Sequence, residues 1–211
     1  ASESARARLA TYIADPLLRE MLFCPVAFYC SAREDDVDWD QFAVLFRSMF
    51  LEGFARPAGG IRPMLKLFVD RFRELGGELR LRSGVARVEL RGGAARGVVL
   101  DDGTELEAAR VLSSAGQVET LRLCGQEAPA RETGRISVLE SICCLDRKAA
   151  DLGYGYTATF FNDSPRFEYR RPDGYVDVRS GVVCTPDNYA STAPDEEGSM
   201  RVSVLANHGR F

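Results

Sequence analysis

The sequence predicts an α+β (α/β) fold, and three observations carry that expectation. Residues 1–55 place apolar side chains at helical spacing, 56–125 join one amphipathic helix to short hairpin strands, and 126–211 alternate like strands between long turns. These stretches are the expected domain divisions. With 211 residues and 45% hydrophobic composition, the chain is long enough to bury a core in one domain or two small ones.

The N-terminal stretch begins with Leu9, Tyr12, Ile13, Leu17, Leu18 and Met21, an irregular amphipathic pattern broken at Asp15-Pro16. An apolar run from Met21 to Cys30 follows, interrupted by Pro25, and then an acidic loop at Glu34-Asp35-Asp36-Val37-Asp38. Asp40 is placed to cap a helix in which Phe42, Leu45, Phe46, Met49, Phe50 and Phe54 recur at helical spacing. The plain reading of that stripe is a buried core helix, since aromatic stripes are more often core than binding surface.

The central stretch opens with Arg56-Pro57-Ala58-Gly59-Gly60-Ile61-Arg62-Pro63. Proline fits a first helical position, and Met64, Leu65, Phe68, Phe72 and Leu75 follow at three- and four-residue spacing, so one helix is expected up to Gly76-Gly77. Leu79 and Leu81 alternate with charged residues, as do Ala86, Val88 and Leu90, which predicts strands on both sides of Ser83-Gly84. Gly92-Gly93 turns the chain into Val98-Val99-Leu100, and Asp101-Asp102-Gly103 turns it again before Leu106. A last strand, Arg110 to Leu112, ends in Ser113-Ser114-Ala115-Gly116. Such an ending is either a plain turn or a place where a ligand approaches backbone beyond the carboxyl end of a strand.

In the C-terminal stretch, strands are expected at Ile136 to Leu145, Tyr156 to Phe161, Phe167 to Arg170, Tyr175 to Cys184 and Arg201 to Ala206. Turns fall at Asp163-Ser164-Pro165 and Pro172-Asp173-Gly174, and a loose loop runs over Ala193 to Gly198.

Composition removes several function classes. The 27 basic and 31 acidic residues are mixed along the chain, giving a net charge of −4, so no nucleic-acid face is expected. No apolar run is long enough to span a membrane. The six cysteines form no C-x-x-C pair; adjacent Cys143 and Cys144 read as buried thiols of a reducing, cytoplasmic compartment. His208 is the sole histidine, so neither a triad nor a metal site is expected, and no catalytic acid or base is named.

Taken in order, Pro-x-Gly-Gly, an amphipathic helix, Gly-Gly-Glu-Leu-Arg, a Val-x-x-Val strand, Gly-Val-Val-Leu with Asp-Gly after it, and Ala-Arg-Val-Leu-Ser-Ser-Ala-Gly make a recognisable series. Over Arg56 to Gly125 it strongly resembles the central part of phytoene-desaturase-like FAD oxidoreductases, which include carotenoid desaturases and isomerases and retinol saturases. These lie within the wider amine-oxidase-like group.

The resemblance implies a mixed β-sheet substrate domain with helices, joined to a partial FAD-binding domain of glutathione-reductase-like type. It implies that Val85 presents its backbone to the adenine of FAD, that Ser114, Ala115 and Gly116 lie near the nucleotide half, and that Gly59 and Gly60 lie near the flavin. It adds a second reading for Phe42, Phe46, Phe50 and Phe54: with the Met21 to Cys30 run, they line a tunnel for an apolar polyene, close to a membrane surface. The implied reaction is hydride exchange between flavin and a C–C bond, giving desaturation, saturation or isomerisation.

The chain also departs from that pattern. The family's G-x-G-x-x-G turn between strand and helix is absent. The nearest match, Gly153-Tyr154-Gly155-Tyr156-Thr157-Ala158, runs into Thr159-Phe160-Phe161-Asn162, which reads as a strand. The sequence begins at Ala1 and ends at Phe211 without the late glycine-containing segment, so the expectation is an internal fragment of the enzyme, inactive by itself. An amine- or protoporphyrinogen-oxidase-like flavoenzyme, or a non-catalytic binding module retaining the fold, stands as the alternative.

Overall fold

Serine, aspartate and proline set the ends of the first helices. In the computed structural model, which describes residues 3–30, 34–129, 134–189 and 198–211, the Ser4 hydroxyl caps α1 (Ala5–Tyr12) by accepting the Ala7 N–H at 3.1 Å. Asp15 caps α2 (Pro16–Tyr29) by accepting from Leu17 and Leu18 at 2.8 and 3.3 Å, with Pro16 at the first helical position. The helix continues through Pro25, since the carbonyl deprived of its partner belongs to the exposed Met21. α3 (Trp39–Phe46) starts after Asp38, two residues earlier than expected, so Asp40 lies in its first turn; a π-helical segment, Arg47–Glu52, extends it.

The chain divides into two compact units, Ala1–Met64 with Arg135–Phe211, and Leu65–Gly134. In the first unit, Ala5, Leu9, Phe23, Val26, Ala27, Val37, Phe42 and Phe167 form the buried cluster of α1, α2 and α3. Arg6 runs through its polar edge. Its guanidinium pairs with Glu20, donates to the carbonyls of Asp35 at 2.6 Å and Phe167 at 2.7 Å, and lies 3.8 Å over the Phe23 ring. Glu20 in turn accepts the Phe167 N–H at 3.0 Å.

The rest of the first unit is a four-stranded sheet ordered β4-β7-β6-β5, from β4 (Ser137–Leu145), β5 (Ala158–Asn162), β6 (Ser180–Cys184) and β7 (Gly198–Ala206). Every pairing in it is antiparallel, where a mixed sheet was implied. The strand expected at 167–170 does not form: the Phe167 backbone spends its hydrogen bonds on the Arg6 and Glu20 side chains, and its ring enters the helical core. The expected strand from Tyr175 shortens to β6, preceded by a single bridge between Val176 and Ala206. β4 is an edge strand, so Cys143 and Cys144 are exposed free thiols and not buried ones.

The second unit carries most of α4 (Ile61–Glu74), then β1 (Val85–Arg91), β2 (Ala94–Leu100) and β3 (Glu105–Glu107) in the antiparallel order β1-β2-β3, and α5 (Gln117–Leu123), which packs on β1. Pro63 sits in the first turn of α4, where N–H groups have no intrahelical partner. Gly76, at φ +83°, closes the helix, and the Gly77 N–H reaches back to the Phe72 carbonyl at 2.9 Å.

Two expected strands are missing here. Residues 78–82 and 110–112 pair with no strand among the described residues, because a strand exists only through its neighbour's hydrogen bonds. Their leucines are exposed, Leu112 fully so at 100%. The α4 stripe is likewise uncovered: no residue of the helix is buried, and Phe68 is 67% exposed. Among the described residues, no helix is long and apolar enough to cross a membrane.

Arg6→Leu is expected to lower the unfolding free energy of the protein by about 3 kcal/mol, since removing one partner of a buried ion pair strands the other. Urea unfolding measures it, and a loss under about 1 kcal/mol would show that the Arg6 contacts do not hold the helical layer.

Candidate functional site

The residues singled out from the sequence fall in both units. In the first unit, Gly59 and Gly60 have φ +74° and +78°, a left-handed pair that only glycine adopts readily, and the Gly60 N–H donates to the Pro57 carbonyl at 2.9 Å. A Cβ on Gly59 would come within 3.3 Å of the Pro63 ring, so the turn leaves little room for a side chain. Arg56 reaches from the same segment to the Pro186 carbonyl at 2.9 Å.

In the second unit, Val85 heads β1 opposite Leu100. The register shifts between Val85 and Arg87, so Ala86 is an extra residue, a bulge with backbone groups outside the ladder. Ser114 and Ala115 lie in an exposed turn tied by the Ser113 hydroxyl, which meets Thr120 Oγ1 at 2.7 Å and accepts the Ala115 N–H at 3.3 Å. Gly116, the residue preceding α5, has φ +101°. A Cβ there would lie 2.6 Å from the Glu119 carboxylate.

The four phenylalanines divide. Phe42 is 2% exposed and is a core residue, its ring 6.3 Å from Phe23 and 5.6 Å from Trp39. Phe46 continues the stack at 5.8 Å from Phe42, and Phe50 follows at 4.8 Å from Phe46, where the stack emerges at the surface. Phe54 is exposed and belongs to another group, with its ring 5.9 Å from Tyr29, which in turn stands edge-on to Phe160 at 5.9 Å.

Tyr29 is therefore a residue that periodicity alone did not single out. It ends the apolar Met21 to Cys30 run, and what raises it above its neighbours is Phe160, a contact between distant parts of the chain. Its hydroxyl meets the Cys184 sulfur at 4.0 Å, and burial pushes its pKa up to about 12, with Cys184, Tyr189 and Glu140 adding to the rise. Beside it, an open cavity of about 430 Å³ is lined by Tyr29, Cys30, Asp40, Gln41, Val44 and Leu45. Such a surface can hold a flat apolar body and donate one hydrogen bond. Among the described residues, no group of three His, Cys, Asp or Glu side chains could hold a metal. Gly153 and Gly155 lead into β5, a strand, so they do not form a helix-opening phosphate turn.

No protein-family model matches the chain, and no curated protein matches it in sequence. Among solved structures, the crystal structure of an oxidoreductase from Methanosarcina mazei is similar over 99% of this chain, with a TM-score of 0.65 and 18% sequence identity. That likeness shows a shared fold. The chain spans 49% of that protein's length.

A buried thiol in the helical core of the first unit gives a pH dependence. Burial is the main cause that pushes Cys24 from 9.0 up to about 12, so the folded state keeps a proton that the unfolded state loses. The corresponding stability is fully present below about pH 9 and is lost as pH rises toward 12. Urea unfolding at rising alkaline pH should show the decline, less steep in Cys24→Ala; a flat profile in the wild type would contradict it.

Proposed function

We propose that this chain is the substrate side, with the connecting part of the FAD domain, of a longer FAD-dependent oxidoreductase acting on the C–C bonds of an apolar polyene. The observation that carries this reading is the uncovered apolar face of the second unit. Leu65, Phe68 and Phe72 form one stripe of α4, continued by Leu75 just past its end, and segments 78–82 and 110–112, which pair with no strand among the described residues, carry exposed leucines. Burial of such a side chain is worth about 1.5–3 kcal/mol, so a face of this kind is built to be covered. The similarity to half of a longer oxidoreductase fits a chain that completes this layer from elsewhere in its own sequence.

The residues present fit the cofactor. The bulge at Ala86 beside Val85 leaves backbone groups that suit an adenine edge, and the left-handed Gly59-Gly60 turn lets a ring approach backbone without meeting a Cβ. Ser114, Ala115 and Gly116 offer small, exposed residues to the nucleotide half. When bound, the flavin would supply hydride exchange with the substrate. The chain's own contribution is orientation: Phe46, Phe50 and Phe54 present an apolar surface while Phe42 anchors it in the core. The resemblance of Arg56 to Gly125 to phytoene-desaturase-like enzymes supports the substrate class.

The reading makes an asymmetric prediction for one substitution. Phe68→Ser should cost the 211-residue chain less than about 1 kcal/mol, as for other surface changes, while in the longer protein it should cost about 2 kcal/mol or more. Equal costs in the two contexts would sink it. The isolated chain should also leave added FAD in the filtrate on ultrafiltration; retention of one flavin per chain would contradict the assignment of the main binding unit to sequence outside it.

A further inference from the structure

The strand register assembles, on one face of the first unit's sheet, a surface that the reading above does not assign. Phe160 pairs with Val182 and Ala158 with Cys184, so Phe160 and Cys184 share a face, since directly opposed residues point the same way. Val182 pairs with Ser203 and Cys184 with Arg201; Ser203 and Arg201 pair in turn with Glu140 and Ile142. The same face thus passes from aromatic at β5 to polar across β7 and β4. There the Ser203 hydroxyl donates to Glu140 at 3.1 Å, and Arg201 lies 3.9 Å from the same carboxylate.

Tyr29 stands where the two halves of that face meet. Its ring makes edge contact with Phe160 and a tilted contact with Phe54, both at 5.9 Å, and it is 48% exposed. Among the described residues the hydroxyl's hydrogen-bond partner is a thiol sulfur at 4.0 Å, a weak acceptor at the limit of contact, while the ring rests on apolar surface. At that exposure the phenol can turn its hydrogen to a stronger acceptor. Two phenylalanine rings set against Tyr29, a hydroxyl able to donate to a stronger acceptor, and beside Tyr29 a cavity of about 430 Å³, to which Phe54 and Phe160 do not contribute, are the parts of a site for a flat molecule with an oxygen on it.

We infer that Tyr29, Phe54 and Phe160 form a binding site for a flat, unsaturated apolar molecule bearing a carbonyl or hydroxyl oxygen, which accepts a hydrogen bond from the Tyr29 hydroxyl. The rings hold the apolar body by stacking and edge contact, and the phenol selects the oxygenated ligand over its hydrocarbon counterpart. The high pKa of Tyr29 keeps the donor protonated at any physiological pH. Tyr29 is then a specificity residue, narrowing the apolar substrate class proposed above to molecules with an oxygen function. That narrowing rests on the flavoenzyme reading; the binding site itself does not.

The test uses the 211-residue chain and two probes that differ in one group, acetylnaphthalene with a ketone and ethylnaphthalene without. Calorimetric titration should show saturable binding of both, with acetylnaphthalene favoured by about three- to tenfold, the value of one net hydrogen bond. Tyr29→Phe should abolish the preference and leave ethylnaphthalene binding unchanged, Phe160→Leu should weaken both probes, and Cys184→Ala should keep the preference. Absence of saturable binding, equal affinity for the two probes, or a preference that survives Tyr29→Phe would each overturn the site. Tyr29-dependent preference in a protein whose longer form holds no flavin would uphold the site and defeat the proposed function. A flavin-bearing longer form that ignores both probes would do the reverse.

Discussion

The Arg6 guanidinium holds the first unit together. It satisfies the Asp35 and Phe167 carbonyls, pairs with Glu20 and covers the Phe23 ring, so one side chain ties α1 to α2, to the acidic loop and to a segment near the other end of the chain. The loop conformation follows from it: Asp35 takes a positive φ of 65° while its carbonyl accepts from Arg6, and its N–H donates to the Tyr169 carbonyl at 2.7 Å. With Phe167 drawn into the helical core, Phe28 comes to lie 5.3 Å from it and 6.4 Å from Phe160. The helical layer and the sheet edge at β5 are joined through those rings, and Tyr29 reaches its place beside Phe160 as a consequence.

The second unit shows the opposite condition. Its β1-β2-β3 meander is paired in order with α5 packed on β1, yet α4 and segments 78–82 and 110–112 carry apolar side chains that no described residue of the unit buries. The function proposed for the chain follows from that incompleteness together with the cofactor-compatible backbone at Val85 and Gly59-Gly60.

Local signals were legible in the sequence. The amphipathic period of α4, its Gly76-Gly77 stop, the Gly92-Gly93 hairpin and the Asp15-Pro16 helix start depend on residues a few positions apart. Alternation at Leu79 and Leu81, at Arg110 to Leu112 and at Phe167 to Arg170 was less informative, because an extended segment alternates whether or not a strand lies beside it. At Phe167 the winning partners were side chains of α1 and α2, which no window around residue 167 contains. The apolar neighbours Ile142 and Leu145 do not reveal the exposure of Cys143 and Cys144 for a similar reason, since edge position in the order β4-β7-β6-β5 is a property of the whole sheet. Of the aromatic stripe, Phe42 proved core and Phe50 surface, a split set by where α3 leaves the α2 contact. The Tyr29 and Phe160 pairing was beyond reach, being fixed only when α2 meets β5.

The most direct measurement is the visible absorption of the purified product of the reading frame extended on both sides of residues 1–211. The account predicts a protein with a flavin spectrum at one FAD per chain, bleached when the flavin is reduced. A folded, colourless product that takes up no added FAD would contradict it, and the fold would then stand as a binding module without redox chemistry.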